Sequence, residues 1–221
     1  MSLFENIFSV FNKSKGYDKT GDVLKNKITT KDQREEAFHE LERLDPKIAI
    51  PQILKRFTIV IDSGIQDIKE KERCVNFLVQ NSEHAKPAII EFIEKNHRIS
   101  WACRVAEKIM KEEEYLELLL NNLSTENTLF DDDAIEKNIE ILIALKEIKS
   151  QKIIETCLRF LTHRNEPLII AALECIEEQA TQNEQAKKLI LSYASQAFND
   201  QNSRIIGLSK AIADKHGWIK G

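Results

Sequence analysis

From Lys31 onward every stretch of the chain sets its apolar residues three and four positions apart, and these stretches come in pairs. Residues 31–44 place Ala37, Phe38, Leu41 and Leu44 on one helical face; Asp45-Pro46 interrupts, and 48–57 resumes the pattern. Residues 67–80, with Ile68, Cys74, Val75, Leu78 and Val79, are answered by 85–96, with Ile89, Ile90, Phe92 and Ile93. The alternation continues through 99–110, 112–123, 133–147, 151–162, 167–179, 184–198 and 203–215. Spacing of this kind gives each helix one apolar stripe, and no run alternates with the period of two that a half-buried strand needs. Only Thr58 to Ile61 is dense in β-branched residues, and so short a run before Asp62-Ser63-Gly64 reads as a loop or helix end. Six Gly and four Pro in 221 residues leave few turn formers for an all-β chain.

The pairs return at a near-constant distance. Ala49-Ile50-Pro51-Gln52-Ile53-Leu54 reappears 36 positions on as Ala85-Lys86-Pro87-Ala88-Ile89-Ile90. Ile169-Ile170-Ala171-Ala172 with Cys175-Ile176 aligns with Ile205-Ile206-Gly207-Leu208 and Ala211-Ile212 at the same spacing of 36. Ile135, Ile139, Leu142 and Ile143 align with Leu168, Ala172, Cys175 and Ile176 at 33. One pair of amphipathic helices cannot bury its own stripe, so each pair must pack on the next. The expected fold is all-α, a right-handed α-α superhelix of about five helix pairs plus a terminal helix, over residues 23–221. Pro51, Pro87 and Pro167 are expected in first turns, where a missing N–H is harmless. Asp131, Asp132 and Asp133 are expected to cap the helix that follows them.

The residues that carry this pattern resemble the HEAT-repeat family in its short bacterial form. The resemblance rests on Ala-Ile-Pro-Gln-Ile-Leu at 49–54, Glu-Pro-Leu-Ile-Ile-Ala-Ala-Leu-Glu-Cys-Ile at 166–176 and Asn-Ser-Arg-Ile-Ile-Gly-Leu-Ser-Lys-Ala-Ile at 202–212. Arg204 stands where such repeats often carry Arg, although Ser203 or Asn202 replaces the usual Asp, and the pair at 99–123 has no Pro. The resemblance implies an outer row of first helices and an inner, concave row of second helices. Its inner row would present Glu91 and Glu94 from one pair and Glu113, Glu114 and Glu117 from the next, an expected acidic groove.

Charge supports that expectation. The formal net charge is −4, but residues 65–145 hold 10 basic and 17 acidic side chains, so the middle third is the acidic part. Such a surface repels phosphate, which disfavours nucleic acid and makes a basic peptide or protein the natural partner. The chain lacks a Gly-rich phosphate loop, H-E-x-x-H, G-x-S-x-G and EF-hand spacing. His97-Arg98 and His163-Arg164 both fall at ends of second helices, where cations favour exposed carbonyls. Cys74, Cys103, Cys157 and Cys175 stand singly in apolar runs, as small core residues of a reducing compartment. No catalytic residue, cofactor or metal is expected. The expected function is a cytoplasmic, non-catalytic protein–protein interaction scaffold. The alternatives are a HEAT-like enzyme or enzyme accessory resembling DNA glycosylases or bilin lyases, and a peripheral membrane adaptor. Against the first, Trp101 beside Arg104 reads as core packing.

The membrane alternative would use the N-terminus. Leu3, Phe4, Ile7, Phe8 and Phe11 share one stripe, so residues 1–12 read as a short amphipathic helix without the basic n-region of a secretory signal. Residues 13–22, polar and containing Gly16 and Gly21, read as a flexible linker.

Overall fold

The computed structural model describes residues 17–124, 131–177, 179–196 and 203–219, and among these every regular element is helical. No helix among them is long and apolar enough to cross a membrane. The stripe Leu3, Phe4, Ile7, Phe8 and Phe11 lies outside the described residues. The chain divides into two compact units, Met1–Lys111 and Glu112–Gly221.

The first unit contains α1 (residues 17–25), α2 (Lys31–Leu41), α3 (Pro46–Leu54) running into a 3-10 turn (Lys55–Thr58), α4 (Gly64–Gln80), α5 (Ser82–Lys95) and α6 (Ser100–Ile109). Within it α3 packs on α5 and α4 on α6, so alternate helices stack on one another as well as on their immediate neighbours. The second unit contains α7 (Glu112–Asn122), α8 (Asp132–Leu145), α9 (Gln151–Phe160), α10 (Glu166–Ile176), a 3-10 turn (Gln179–Gln182), α11 (Glu184–Ala194) and α12 (Ser203–Lys215). Here α8 packs on α10 and α10 on α12, the same alternate stacking.

Helix starts follow local chemistry. Thr30 and Gln33 form a reciprocal capping box on α2, and Pro46 opens α3 behind an Asp45 cap. The Asp131 carboxylate accepts the Ala134 N–H at 3.1 Å, so Asp131 is the cap of α8, while Asp132 and Asp133 occupy its first turn. Asn183 accepts from both Gln185 and Ala186 at the start of α11. Asn183→Ala is therefore expected to destabilise by about 1 kcal/mol, read as a shift of the denaturation midpoint, with Asn183→Asp losing far less. Two prolines depart from expectation. α3 and α5 begin two and three residues earlier than periodicity indicates, so Pro51 and Pro87 sit inside them, and of the three prolines expected in first turns Pro167 alone opens its helix. Each internal proline removes the hydrogen bond to the carbonyl four residues back.

The stretch read as linker is helical from Tyr17 on. Gly21 serves close packing rather than freedom: a Cβ there would fall 2.2 Å from Oε1 and 2.9 Å from Cβ of Gln52. Leu24 is fully buried, and Lys55 bonds Asp22 at 3.0 Å. Packing against α3 thus orders a segment whose composition alone suggests a tether.

Inter-helix loops are held by the side-chain amides of buried Asn138 and half-buried Gln179. Asn138 donates to Ser124 O at 2.6 Å and accepts from Ser124 N at 3.1 Å. Gln179 donates to Ile148 O at 3.0 Å and accepts from Ser150 N at 3.2 Å. These amides satisfy backbone groups that would otherwise be buried without partners.

Candidate functional site

The first two turns of α4 depart most from the sequence pattern. The apolar stripe predicts Ile68 inside and its charged neighbours outside, yet Ile65 and Ile68 are 74% and 49% exposed, whereas Asp67, Glu70 and Lys71 are buried. They are buried because cations from two other helical segments meet them. Arg34 of α2 places Nε 2.9 Å from Glu70 Oε2, and its Nη1 donates to Thr29 O. Arg56, fully buried in the 3-10 turn, donates to Glu70 Oε2 at 2.8 Å, to Asp67 Oδ1 at 2.7 Å and to Ile59 O at 3.2 Å. Lys71 Nζ lies 2.8 Å from Asp67 Oδ2, the Ile61 N–H donates to Asp67 Oδ1 at 3.2 Å, and Gln66 donates to Glu70 at 3.0 Å.

Three cations and two carboxylates therefore share one buried cluster that ties the loops at 26–30 and 59–63 to α4. Burial alone would raise both carboxyl groups. For Asp67 the bonds from Lys71, Arg56 and Ile61 N–H outweigh it, and for Glu70 those from Gln66, Arg56 and Arg34 do, so both are held below their ordinary range. Burial also pushes the neighbouring Cys74 thiol well up, so it stays protonated in the core.

An aromatic stack runs from this cluster to the surface. Trp101 of α6 lies parallel to Phe57, centroids 6.3 Å apart, and Phe57 meets the edge of Phe92 at 6.2 Å. Lys71 and Arg104 stand over the Trp101 ring at 5.9 and 4.6 Å. The indole is thus half-buried packing surface with a cation on it, more polar in its surroundings than core packing implies.

Phe92 forms the floor of a groove of about 310 Å³ between α3 and α5. Pro51, Leu54, Lys55 and Thr58 line one wall, and Ala88, Glu91, Lys95 and Asn96 the other. The internal prolines thus lie on the second helices of the first unit, and Pro51 contributes its ring to the groove. Lys95 Nζ sits 2.5 Å from Glu91 Oε1, a bond that raises the Lys95 ammonium above its usual range. Asn96 closes the end of α5 by donating to Phe92 O at 2.9 Å.

Glu91 therefore lines this groove, opposite Lys55 and already bonded to Lys95, so the charged lining is two lysines and one glutamate rather than an acidic face. Glu94 is exposed on α5 outside the lining. Glu113, Glu114 and Glu117 belong to α7 in the second unit. Glu113 and Glu114 stand in its first turn, where their charge favours the helix dipole, and Glu117 lies 3.8 Å from Lys152. Arg34, Arg56, Asp67, Glu70 and Lys71 were not singled out by residue type or spacing of apolar groups. The repeat spacing relates two of them, since Arg34 and Glu70 stand 36 positions apart. No family model, curated protein or solved structure matches the chain.

Proposed function

We propose that the chain is a non-catalytic protein-interaction scaffold, an α-solenoid of the HEAT type whose second helices carry the contact surface. The observation that carries this reading is the α3–α5 groove, an apolar floor with charged walls on a rigid support. Rigidity comes from the Phe92–Phe57–Trp101 stack and the ionic cluster behind it, which fix the groove before any partner arrives, so little side-chain entropy is lost on binding. Alternate stacking of helices in each unit supports the solenoid reading, since repeat arrays bury their stripes that way. A partner segment suited to the groove inserts an apolar side chain beside Phe92 and pairs its own charges with Glu91, Lys55 and Lys95. Basic residues flanking that anchor would meet Glu94 on the same helix, and the acid excess of residues 65–145 favours their approach.

Affinity capture from native extract tests the proposal when the wild-type chain is run beside Ala88→Arg, which fills the groove from its wall. A specific protein retained by the wild type at low salt and lost with Ala88→Arg is the expected outcome. Identical recoveries from both proteins would remove the groove from consideration as a contact surface.

A further inference from the structure

The core of the second unit brings two thiols together. Cys157 lies on α9 and Cys175 on α10, helices that pack on one another, and both side chains are buried and free of any disulfide. The thiols touch: the Cys157 S–H donates to the Cys175 sulfur. That bond, and then burial, holds the Cys157 thiol well above its ordinary range, so it stays protonated and remains a donor. The contact sets the pair apart from Cys74, whose thiol is pushed up chiefly by burial.

Two sulfurs in contact across a helix pair lack only an oxidant to become a covalent link. The chain between them is short, being the end of α9, the turn at 161–165 and most of α10, so the thiols stay near one another even when the hairpin opens.

We propose that Cys157 and Cys175 form a redox-responsive pair that a small hydroperoxide converts into a disulfide, joining α9 to α10 within the second unit. The Cys175 sulfur attacks one oxygen of hydrogen peroxide. The O–O bond breaks, an S–O bond forms, and the thiol proton leaves with the displaced hydroxide as water. The Cys157 sulfur then displaces hydroxide from that sulfenic acid, the S–S bond forms, and the Cys157 proton leaves in a second water. Two thiols give up two electrons and two protons, and one peroxide becomes two waters. A dithiol reductant reverses the link by thiol–disulfide exchange. Because both sulfurs are buried, oxidation waits on local opening of the hairpin, and the pair answers sustained exposure rather than a brief pulse. Once formed, the link constrains the unfolded chain and raises the denaturation midpoint of the unit.

The test exposes the full, folded chain to hydrogen peroxide, blocks the remaining thiols with iodoacetamide in denaturant, and maps the digest by mass spectrometry without reductant. One linked peptide pair carrying Cys157 and Cys175 is expected, with Cys74 and Cys103 alkylated. The same treatment of the chain unfolded in guanidinium is expected to give mixed pairings, because only the fold selects partners. In a Trp101→Phe chain, where Trp218 is the remaining tryptophan, the thermal midpoint is expected to rise by several degrees on oxidation and to return with dithiothreitol. Cys157→Ser and Cys175→Ser are each expected to lose both the link and the rise. Two alkylated thiols after prolonged exposure, sulfinic acid at either cysteine without a link, or the unfolded chain's mixture of pairings from the folded one would overturn the pair. A link that lowers the midpoint would overturn it too, since the helices would then have to leave their native packing to make it.

Discussion

Glu70→Ala is expected to lower the stability of the first unit by about 3–5 kcal/mol, the loss that follows when one partner of a buried ion pair is removed. The carboxylate accepts from Arg34, Arg56 and Gln66, and its loss leaves two buried guanidinium groups facing each other with only Asp67 between them and Lys71. Against a total of about 5–15 kcal/mol for an ordinary domain, such a loss is a large fraction. Denaturant unfolding followed by Trp101 fluorescence measures it, since Trp101 is the only tryptophan of that unit. Glu70→Gln keeps an acceptor and is expected to lose less. Replacing Arg34, Arg56 and Glu70 together by apolar residues of similar size is expected to be close to neutral, because the desolvation of the ions disappears with them. A Glu70→Ala chain within 1 kcal/mol of wild type would show that the carboxylate is not the counter-charge that holds the cluster.

The same cluster sets an acid limit. Asp67 and Glu70 titrate lower in the folded chain than in the unfolded one, so their contribution is complete above the unfolded carboxylate range near pH 4 and is lost as pH falls toward their folded values. Denaturation midpoints measured from pH 7 down to pH 3 are expected to fall in the acid region for wild type and to fall less for Glu70→Ala.

Phe160→Ala is expected to destabilise the second unit by about 3–5 kcal/mol, the combined loss of transfer energy and the cavity left behind. Phe160 is 1% exposed at the end of α9, the helix that packs on α10, and Cys157 and Leu161 beside it are fully buried. Trp218, the tryptophan of that unit, stacks on His216 at 5.1 Å and reports the transition. Phe160→Leu retains most of the apolar volume and is expected to lose clearly less. Equal and small shifts for both variants would mean that the site collapses around the missing ring or is open to water.

Much of the fold was legible because helix formation reads local spacing. Of the expected stripes, Ala37, Phe38 and Leu41, Cys74, Val75 and Leu78, and Ile89, Phe92 and Ile93 are buried, while Leu44, Val79 and Ile90 at their margins are half-buried. Where the reading slipped, the cause was register. A spacing of 33 puts Ile135, Ile139, Leu142 and Ile143 on the inner stripe of α8, but of these only Leu142 is buried, Ile143 is 57% exposed, and Asn138 and Ile141 are buried beside Leu142. A spacing of 34 brings those three on to buried Ala172, Cys175 and Ile176, a rotation of α8 by about one residue. The groove was half legible: Glu91 stands out by its place on α5, but Lys55 across from it does not, because it comes from the 3-10 turn after α3.

Apolar spacing in the sequence determined that the described residues from Lys31 on are helical and roughly where their helices fall, since each of those depends on residues within a turn or two of one another, whereas α1 is ordered by its packing on α3. Only the tertiary structure decided that Arg34, Arg56, Asp67, Glu70 and Lys71 face inward while Ile65 and Ile68 face water. A charged side chain is stable inside only when its counter-charge arrives from elsewhere in the fold, and that partner stands far along the chain, invisible to any pattern that treats charge as surface.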